Sequence, residues 1–393
     1  MPKGTLAKRV GAEWEVRGKS LSRAEMPWKR GLCRMGAVRS RFMRMVISRF
    51  VVLALATAAA TAGAQDGPLR SPWDGRKVML TDAAYECPAP PAFAKTLEIG
   101  TYYIDSKASV IDPKQKAEYD KAAQASGDLS RTAALAADAY LAKGSRAAAL
   151  CVYSLLDSAA KADAWDGKMD NFSGVYVQNW LLSAVGIAYL KVRPSGLGTA
   201  AEDADIQKWF KLLAGRVREF FDAEVTRFGG PENENNHIYW AGLAVAAEAI
   251  ADNDNDAGGW ALNAYRIGIA NIQQDGSLKA EMNRGQRALH YHLYALAPLI
   301  LLAELGEAND IDLYAENNGA IHRLVMFCEA GLEDPTIVEK RTGMAQVVEL
   351  PWSGPDIGWA VPYVRRFPDA KLSALIAKAQ WVRYTTWGGA PPD

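Results

Sequence analysis

Apolar positions recur at spacings of three and four over residues 133–142, 147–160, 175–192, 206–221, 239–250, 261–272 and 288–304, and these Ala- and Leu-rich runs predict helices. Stretches that alternate apolar with polar residues, the mark of half-buried strands, are scarce. Breakers fall between the helical runs at short intervals: Lys143-Gly144-Ser145, residues 163–171, 194–198, Gly229-Gly230-Pro231, residues 252–259 and Gln274-Asp275-Gly276-Ser277. Short breaks between helices predict helical hairpins. Several runs are apolar on more than one face, so inner helices must be covered by outer ones, as in an α/α toroid. No short identical repeat is visible, which argues against a TPR or ankyrin array. Composition does not change after about residue 95, so the pattern predicts one all-α domain with a Pro-rich lead-in and a Gly-Gly-Ala-Pro-Pro tail.

One apolar run stands outside this pattern. Residues 45–64 carry basic Arg49, continue through Phe50-Val51-Val52-Leu53 into Ala-rich sequence, and end Ala62-Gly63-Ala64. A basic start, a short apolar run and an Ala-x-Ala end predict a secretory signal peptide cleaved after Ala64. The run falls short of the roughly 20 apolar residues a membrane span needs, so an anchor is not expected. Residues 1–44 are polybasic, lack periodicity and contain Met26, Met35 and Met43, as an early-assigned start would. The expected organisation is therefore 1–44 extension, 45–64 signal, 65–393 mature domain. The formal net charge of +0 averages two unlike parts: residues 1–64 hold 13 Lys and Arg against 3 Asp and Glu, and the remainder 32 against 42. An acidic body argues against nucleic acid as a partner, and nothing in the mature chain predicts a membrane contact. Export implies the periplasm, an oxidising compartment. Three cysteines then remain, Cys87, Cys151 and Cys328; a Cys87–Cys151 bridge beside a buried Cys328 is the preferred accounting, with three unpaired thiols the alternative.

Candidate chemistry concentrates in two places. In residues 229–240, a polar turn delivers Asn235, Asn236 and His237 to the mouth of a helix, where unpaired N–H groups favour negative ligands. Taken alone, the run also reads as an N-cap followed by a first-turn His. In Glu281-Met-Asn-Arg284-Gly-Gln-Arg287-Ala-Leu-His290-Tyr291-His292, the residues Arg284, Arg287 and Tyr291 would share one helical face, spread over about 10 Å of rise. Such a face suits a polyanion.

Asn235-Asn236-His237 with Tyr239-Trp240, then Gln274-Asp275-Gly276, then Arg284-Gly285-Gln286-Arg287-Ala288-Leu289-His290-Tyr291-His292 together resemble the polysaccharide lyase family 5 alginate lyases. The likeness extends from about Asp105-Ser106-Lys107 to Trp359 and Tyr363. The resemblance implies an incomplete α/α toroid, a periplasmic enzyme with no metal or other cofactor, and β-D-mannuronate-rich alginate, an anionic polysaccharide, as substrate. It implies Asn236, His237, Arg284 and Tyr291 as catalytic residues. β-Elimination from a 4-linked uronate removes the C5 proton, stabilises charge on the C6 carboxylate and protonates O4. Asn236 and His237 suit the carboxylate, Tyr291 the proton transfers, and Arg284 the lowering of the Tyr291 pKa from its usual value of about 10. For guluronate, with proton and leaving group on opposite faces, His237 would be the base and Tyr291 the acid.

Lys107, Arg287, Gln178, Trp180, Tyr239 and Trp240 are the expected substrate-binding residues, each also readable as solvated, ion-paired or core; Trp359 is a further aromatic of that kind. His290 and His292 resemble a metal pair but are two residues apart and point away from each other on a helix, so no zinc site is expected. Asp252-Asn-Asp-Asn-Asp256 suggests a calcium loop, but Ala257 stands where Gly is needed and Asn263 where Glu is needed, so a solvated turn is expected. Two other functions are possible on this pattern: a glycoside hydrolase, which needs paired carboxylates such as Glu232, Glu234 or Glu281, and a non-catalytic polysaccharide-binding or secretion scaffold. A monomer is expected.

Overall fold

Polar side chains stop and start the helices where the breakers fall. Asp112, Ser145, Asn171, Asn235, Asp254 and Asp369 each accept a backbone N–H from the first turn that follows them, a cap worth about 1 kcal/mol in general. The computed structural model describes residues 67–228 and 234–392, the side chains of 224–228 excepted, all within one unit, Ala64–Asp393. The expected extension and signal peptide, and residues 229–233 of the first motif, lie outside the described residues.

The helices are α1 Pro113–Lys143, α2 Arg146–Lys161, α3 Phe172–Val192, α4 Ala200–Phe228, α5 Asn236–Asp252, α6 Asn255–Ala270, α7 Lys279–Met282, α8 Ala288–Ala308, α9 Glu316–Glu333, α10 Thr336–Thr342, α11 Gly354–Ile357, α12 Ala360–Arg366 and α13 Ala370–Lys378. Among the described residues there is no β-strand, only isolated bridges such as Tyr103 with Ile111. α3, α5 and α8 are buried on nearly every face and pack in sequence, α3 on α5 and α5 on α8. α1, α4, α6 and α9 cover them. This is the layered ring of hairpins that apolar-all-round helices require, an α/α toroid. α8 with the turn before it, Gly285–Ala308, is apolar and long enough to cross a membrane, yet 89% of its most apolar window is buried inside the protein.

Two links tie the periphery down. Cys87 is bonded to Cys151 of α2, with Cα atoms 5.5 Å apart, which fixes the Pro-rich lead-in; Cys328 is a buried thiol. At the other terminus, Lys191 of α3 is 0% exposed, and its ammonium donates to Asp138 of α1 at 2.8 Å and to the carbonyls of Gly388 and Ala390 at 2.6 and 2.8 Å. Between α1 and α2, Gly144 sits at φ 66°, where an added Cβ would lie 1.9 Å from the Met79 carbonyl oxygen, so only glycine allows this close approach.

Candidate active site

The start of α5 is built around an internal anion. Asn235 caps the helix by accepting from the His237 N–H at 3.0 Å. Asn236, fully buried, donates both its backbone N–H and its Nδ2 to one oxygen of Glu281 at 2.9 Å each. The electropositive helix mouth therefore holds the chain's own carboxylate, delivered by the short α7. Burial pushes the Glu281 pKa up, against the opposing pull of Arg284 and Asn236. Arg284 Nε lies 3.6 Å from the other Glu281 oxygen.

Arg284 does not share a helical face with Tyr291. Gly285 takes φ 57° and a 3-10 turn, Gly285–Arg287, intervenes before α8 begins. A left-handed glycine reverses the chain in a way a continuous helix cannot. The guanidinium is thus folded back over the Tyr291 ring, 4.4 Å from its centroid, far closer than a helical rise would place it. The Tyr291 hydroxyl in turn lies 2.6 Å from the Tyr103 hydroxyl. Burial, then Tyr103, raise the Tyr291 pKa; Arg284 and Arg287 pull it down and do not prevail. The expectation that Arg284 lowers it overall is corrected: desolvation of a buried phenolate outweighs one neighbouring cation, and Tyr291 is a neutral phenol in the free protein.

Tyr103 and Lys107 come from one loop docked on the site. A bridge between Tyr103 and Ile111 closes it, and Asp105 holds its turn by accepting from the Ser109 and Val110 N–H groups at 2.8 Å. Those hydrogen bonds outweigh desolvation and keep the Asp105 pKa at about 2. The Lys107 carbonyl accepts from Arg284 at 3.5 Å and the Ser109 carbonyl from Gln286 at 2.9 Å, while the Lys107 side chain is exposed.

His237 stacks face to face on Tyr176, 3.6 Å between centroids at 6°, with Trp180 6.3 Å away. Its Nδ1 meets no partner among the described residues. Burial and then Arg284 depress its pKa to about 3, so it is a neutral imidazole at ordinary pH. Arg287 and His290 line a cavity of about 430 Å³ together with Trp352 and Trp381.

Other expected contacts are not brought to this surface. Gln178 is 0% exposed and donates to the Trp165 and Gly167 carbonyls at 2.6 and 3.2 Å, holding the turn before α3. Tyr239, Trp240 and Trp359 are buried; Trp240 Nε1 donates to the Tyr294 carbonyl at 3.1 Å, so it props the aromatic layer beneath Tyr291 from within the core. The two histidines diverge: His290 stacks on Tyr294, whereas His292 donates from Nδ1 to Ala288 and accepts the Leu278 N–H at Nε2, which leaves it no free nitrogen for a metal. Residues the sequence did not single out are Tyr103, Tyr176 and the structural use of Glu281. The Tyr102-Tyr103 pair beside Asp105-Ser-Lys107 was the available signal for the first.

Glu281 is committed to Asn236, and Glu234 accepts from Asn271 at 3.2 Å, so neither is a free acid or base of the kind hydrolysis uses. What stands together instead is a neutral phenol under a permanent cation, with neutral amide and imidazole groups nearby. Residues 96–338 match the family described as alginate lyase, and the chain belongs to that family. It is 38% identical to a polysaccharide lyase of Stenotrophomonas maltophilia over 72% of this chain and 82% of that one. It is 31% identical to an alginate lyase of Pseudomonas fluorescens over 81% and 87% of the two chains. Among solved structures, alginate lyase A1-III from Sphingomonas species A1, in a variant complexed with a tetrasaccharide, superposes with a TM-score of 0.67 at 25% identity, covering 83% of this chain and 89% of its own.

Proposed function

We propose that the protein is an exported alginate lyase that cleaves 4-linked β-D-mannuronate by syn elimination, without a metal ion. The observation that carries this reading is the placement of Arg284 over Tyr291 with the Tyr103 hydroxyl 2.6 Å from the Tyr291 hydroxyl. A mannuronate C6 carboxylate set against Arg284 and His237 has its developing charge met by a cation and a neutral imidazole, with Asn236 holding the Glu281 carboxylate beneath them. In this sugar the C5 proton and O4 lie on one side of the ring. In the complex Tyr291 gives its phenolic proton to solvent beneath the Arg284 guanidinium, and the resulting phenolate takes the C5 proton and passes it to O4. The C5–H electrons form the C4–C5 double bond, and the C4–O4 bond breaks with its pair on O4. Guluronate would need His237 as the base from the opposite face, and an imidazole held at about 3 is a poor one. This difference favours mannuronate. Lys107, Arg287 and Trp180 extend the contacts to neighbouring uronates.

The test is ultraviolet absorbance of the conjugated unsaturated product on polymannuronate, polyguluronate and polyglucuronate. Faster absorbance gain on polymannuronate is expected. Equal rates on the three polymers, or new reducing ends without absorbance, would contradict the reading. For export, amino-terminal sequencing of periplasmic protein is expected to find Gln65 or a near neighbour, whereas full-length chain in membranes would overturn it.

A further inference from the structure

The far end of α5 carries polar groups that the catalytic site does not use. Glu248 and Asp252 are four residues apart on its last turns, so their carboxylates lie on one face. The helix ends at Asn253, whose left-handed φ of 56° turns the chain and brings Asp254 beside them. One carboxylate oxygen from each of the three lies within 4.8 Å of the others. Two oxygens each about 2.4 Å from a calcium ion are at most about 4.8 Å apart, so every pair in the trio meets the distance limit for sharing one such ion.

Glu248 supplies the independent sign that a ligand belongs here. It is 1% exposed, and its Oε1 has no hydrogen-bond partner among the described residues. A buried carboxylate beside two others is costly as an anion, and burial with Asp254 and Asp252 pushes its pKa up; a cation among the three offsets that cost. Asp254 spends Oδ1 on capping α6, accepting from Asp256 and Ala257 at 3.0 Å, and keeps Oδ2 outside that cap. Lys211 reaches Asp252 and Asp254 at 2.9 and 3.2 Å, but its side chain is 60% exposed, and it offers one positive charge against three carboxylates. Arg218 acts on Glu248 only through its field.

We propose that Glu248, Asp252 and Asp254 bind one divalent cation of the calcium class, which displaces the Lys211 ammonium and ties the end of α5 to the start of α6. The all-oxygen donor set selects a hard cation over zinc, and donors spread across a helix end and a turn suit the flexible coordination of calcium better than the strict octahedron of magnesium. The linear pattern from Asp252 to Asn263 lacks the glycine and distal Glu of a calcium loop; the fold supplies the missing carboxylate from the preceding helix instead. His237 is about 16 Å away along α5, so the ion serves stability rather than turnover.

The purified protein, stripped with chelator and desalted, is titrated with calcium chloride and separately with magnesium chloride by calorimetry, and its melting temperature is read with and without calcium. One equivalent of calcium, a raised Tm and weaker magnesium binding are expected. Loss of groups merely supporting a metal ligand costs about tenfold in affinity, so Glu248→Gln should lose at least that much. Lys211→Met removes the competing ammonium and should tighten calcium binding, a gain that an unfolded protein cannot mimic. No binding by either the wild type or Lys211→Met, calcium affinity unchanged in Glu248→Gln, or magnesium bound as tightly as calcium would each overturn the proposal.

Discussion

Acid should destabilise this protein through His292, and the size of the effect follows from its surroundings. The ring is 0% exposed, donates to the Ala288 carbonyl at 2.7 Å and accepts the Leu278 N–H at 2.9 Å. Both bonds require the neutral imidazole, since protonation would set an Nε2–H against the Leu278 N–H. Burial holds its pKa at about 4, against about 6.5 for an unfolded chain. Between those values the unfolded chain binds a proton that the folded one refuses, so stability falls as pH drops from about 6.5 towards 4, by up to about 1.4 kcal/mol per pH unit. From pH 6.5 to 5 that amounts to about 2 kcal/mol from His292 alone. His237 and His290, depressed by burial and by Arg284 and Arg287, act in the same direction and titrate alike in wild type and in a His292 variant. Urea unfolding followed by circular dichroism, run on wild type and His292→Gln from pH 7.5 to 5, isolates the term. At pH 7.5 the variant should be weaker by about 1–3 kcal/mol, because it cannot satisfy both backbone partners. On acidification the gap should narrow by about 2 kcal/mol, because the variant no longer titrates. A gap that stays constant across this range would refute the reasoning.

Reducing the Cys87–Cys151 bridge, which spans 64 residues, frees the unfolded chain and should lower stability by about 4 kcal/mol on a chain-entropy reckoning; an unchanged Tm in reductant would contradict this. Lys191→Met leaves the buried Asp138 with the Ala390 N–H as its one hydrogen-bond donor among the described residues, and should cost about 3–5 kcal/mol in urea unfolding. Adding Asp138→Asn should recover part of that loss, and no recovery would mean the pair is not coupled. Arg284→Lys keeps a charge but loses the planar group that lies over Tyr291, and should move a limb of the pH–rate profile. An unmoved profile would remove Arg284 from control of the proton transfer.

The inner helices were legible because they are apolar all round: the runs at 175–192, 239–250 and 288–304 fall inside α3, α5 and α8. α1 was legible only in its last third, because its first two turns, Lys114 to Lys121, are mostly polar and owe their helix to the Asp112 cap and Pro113 rather than to a buried stripe. α9 was missed. Its assigned start holds Asn317, Asn318 and Gly319 at left-handed φ, which hides the helix that follows behind turn chemistry. At the candidate site, Asn236, His237, Arg284 and Tyr291 could be picked out as residue types, but periodicity misplaced Arg284 because the left-handed Gly285 breaks the helical register. The contacts of Tyr103 with Tyr291 and of Tyr176 with His237 join residues 188 and 61 positions apart, which no local pattern encodes.

The proton relay through Tyr291 is the claim on which the functional reading rests. Tyr291→Phe deletes one hydroxyl and keeps the ring under the Arg284 guanidinium, so fold and polymer binding should survive. Its turnover on polymannuronate, followed by absorbance of the unsaturated product alongside a direct measurement of polymer binding, should fall by about 10³-fold or more. A folded Tyr291→Phe protein that binds polymannuronate and turns it over at near the wild-type rate would contradict the account.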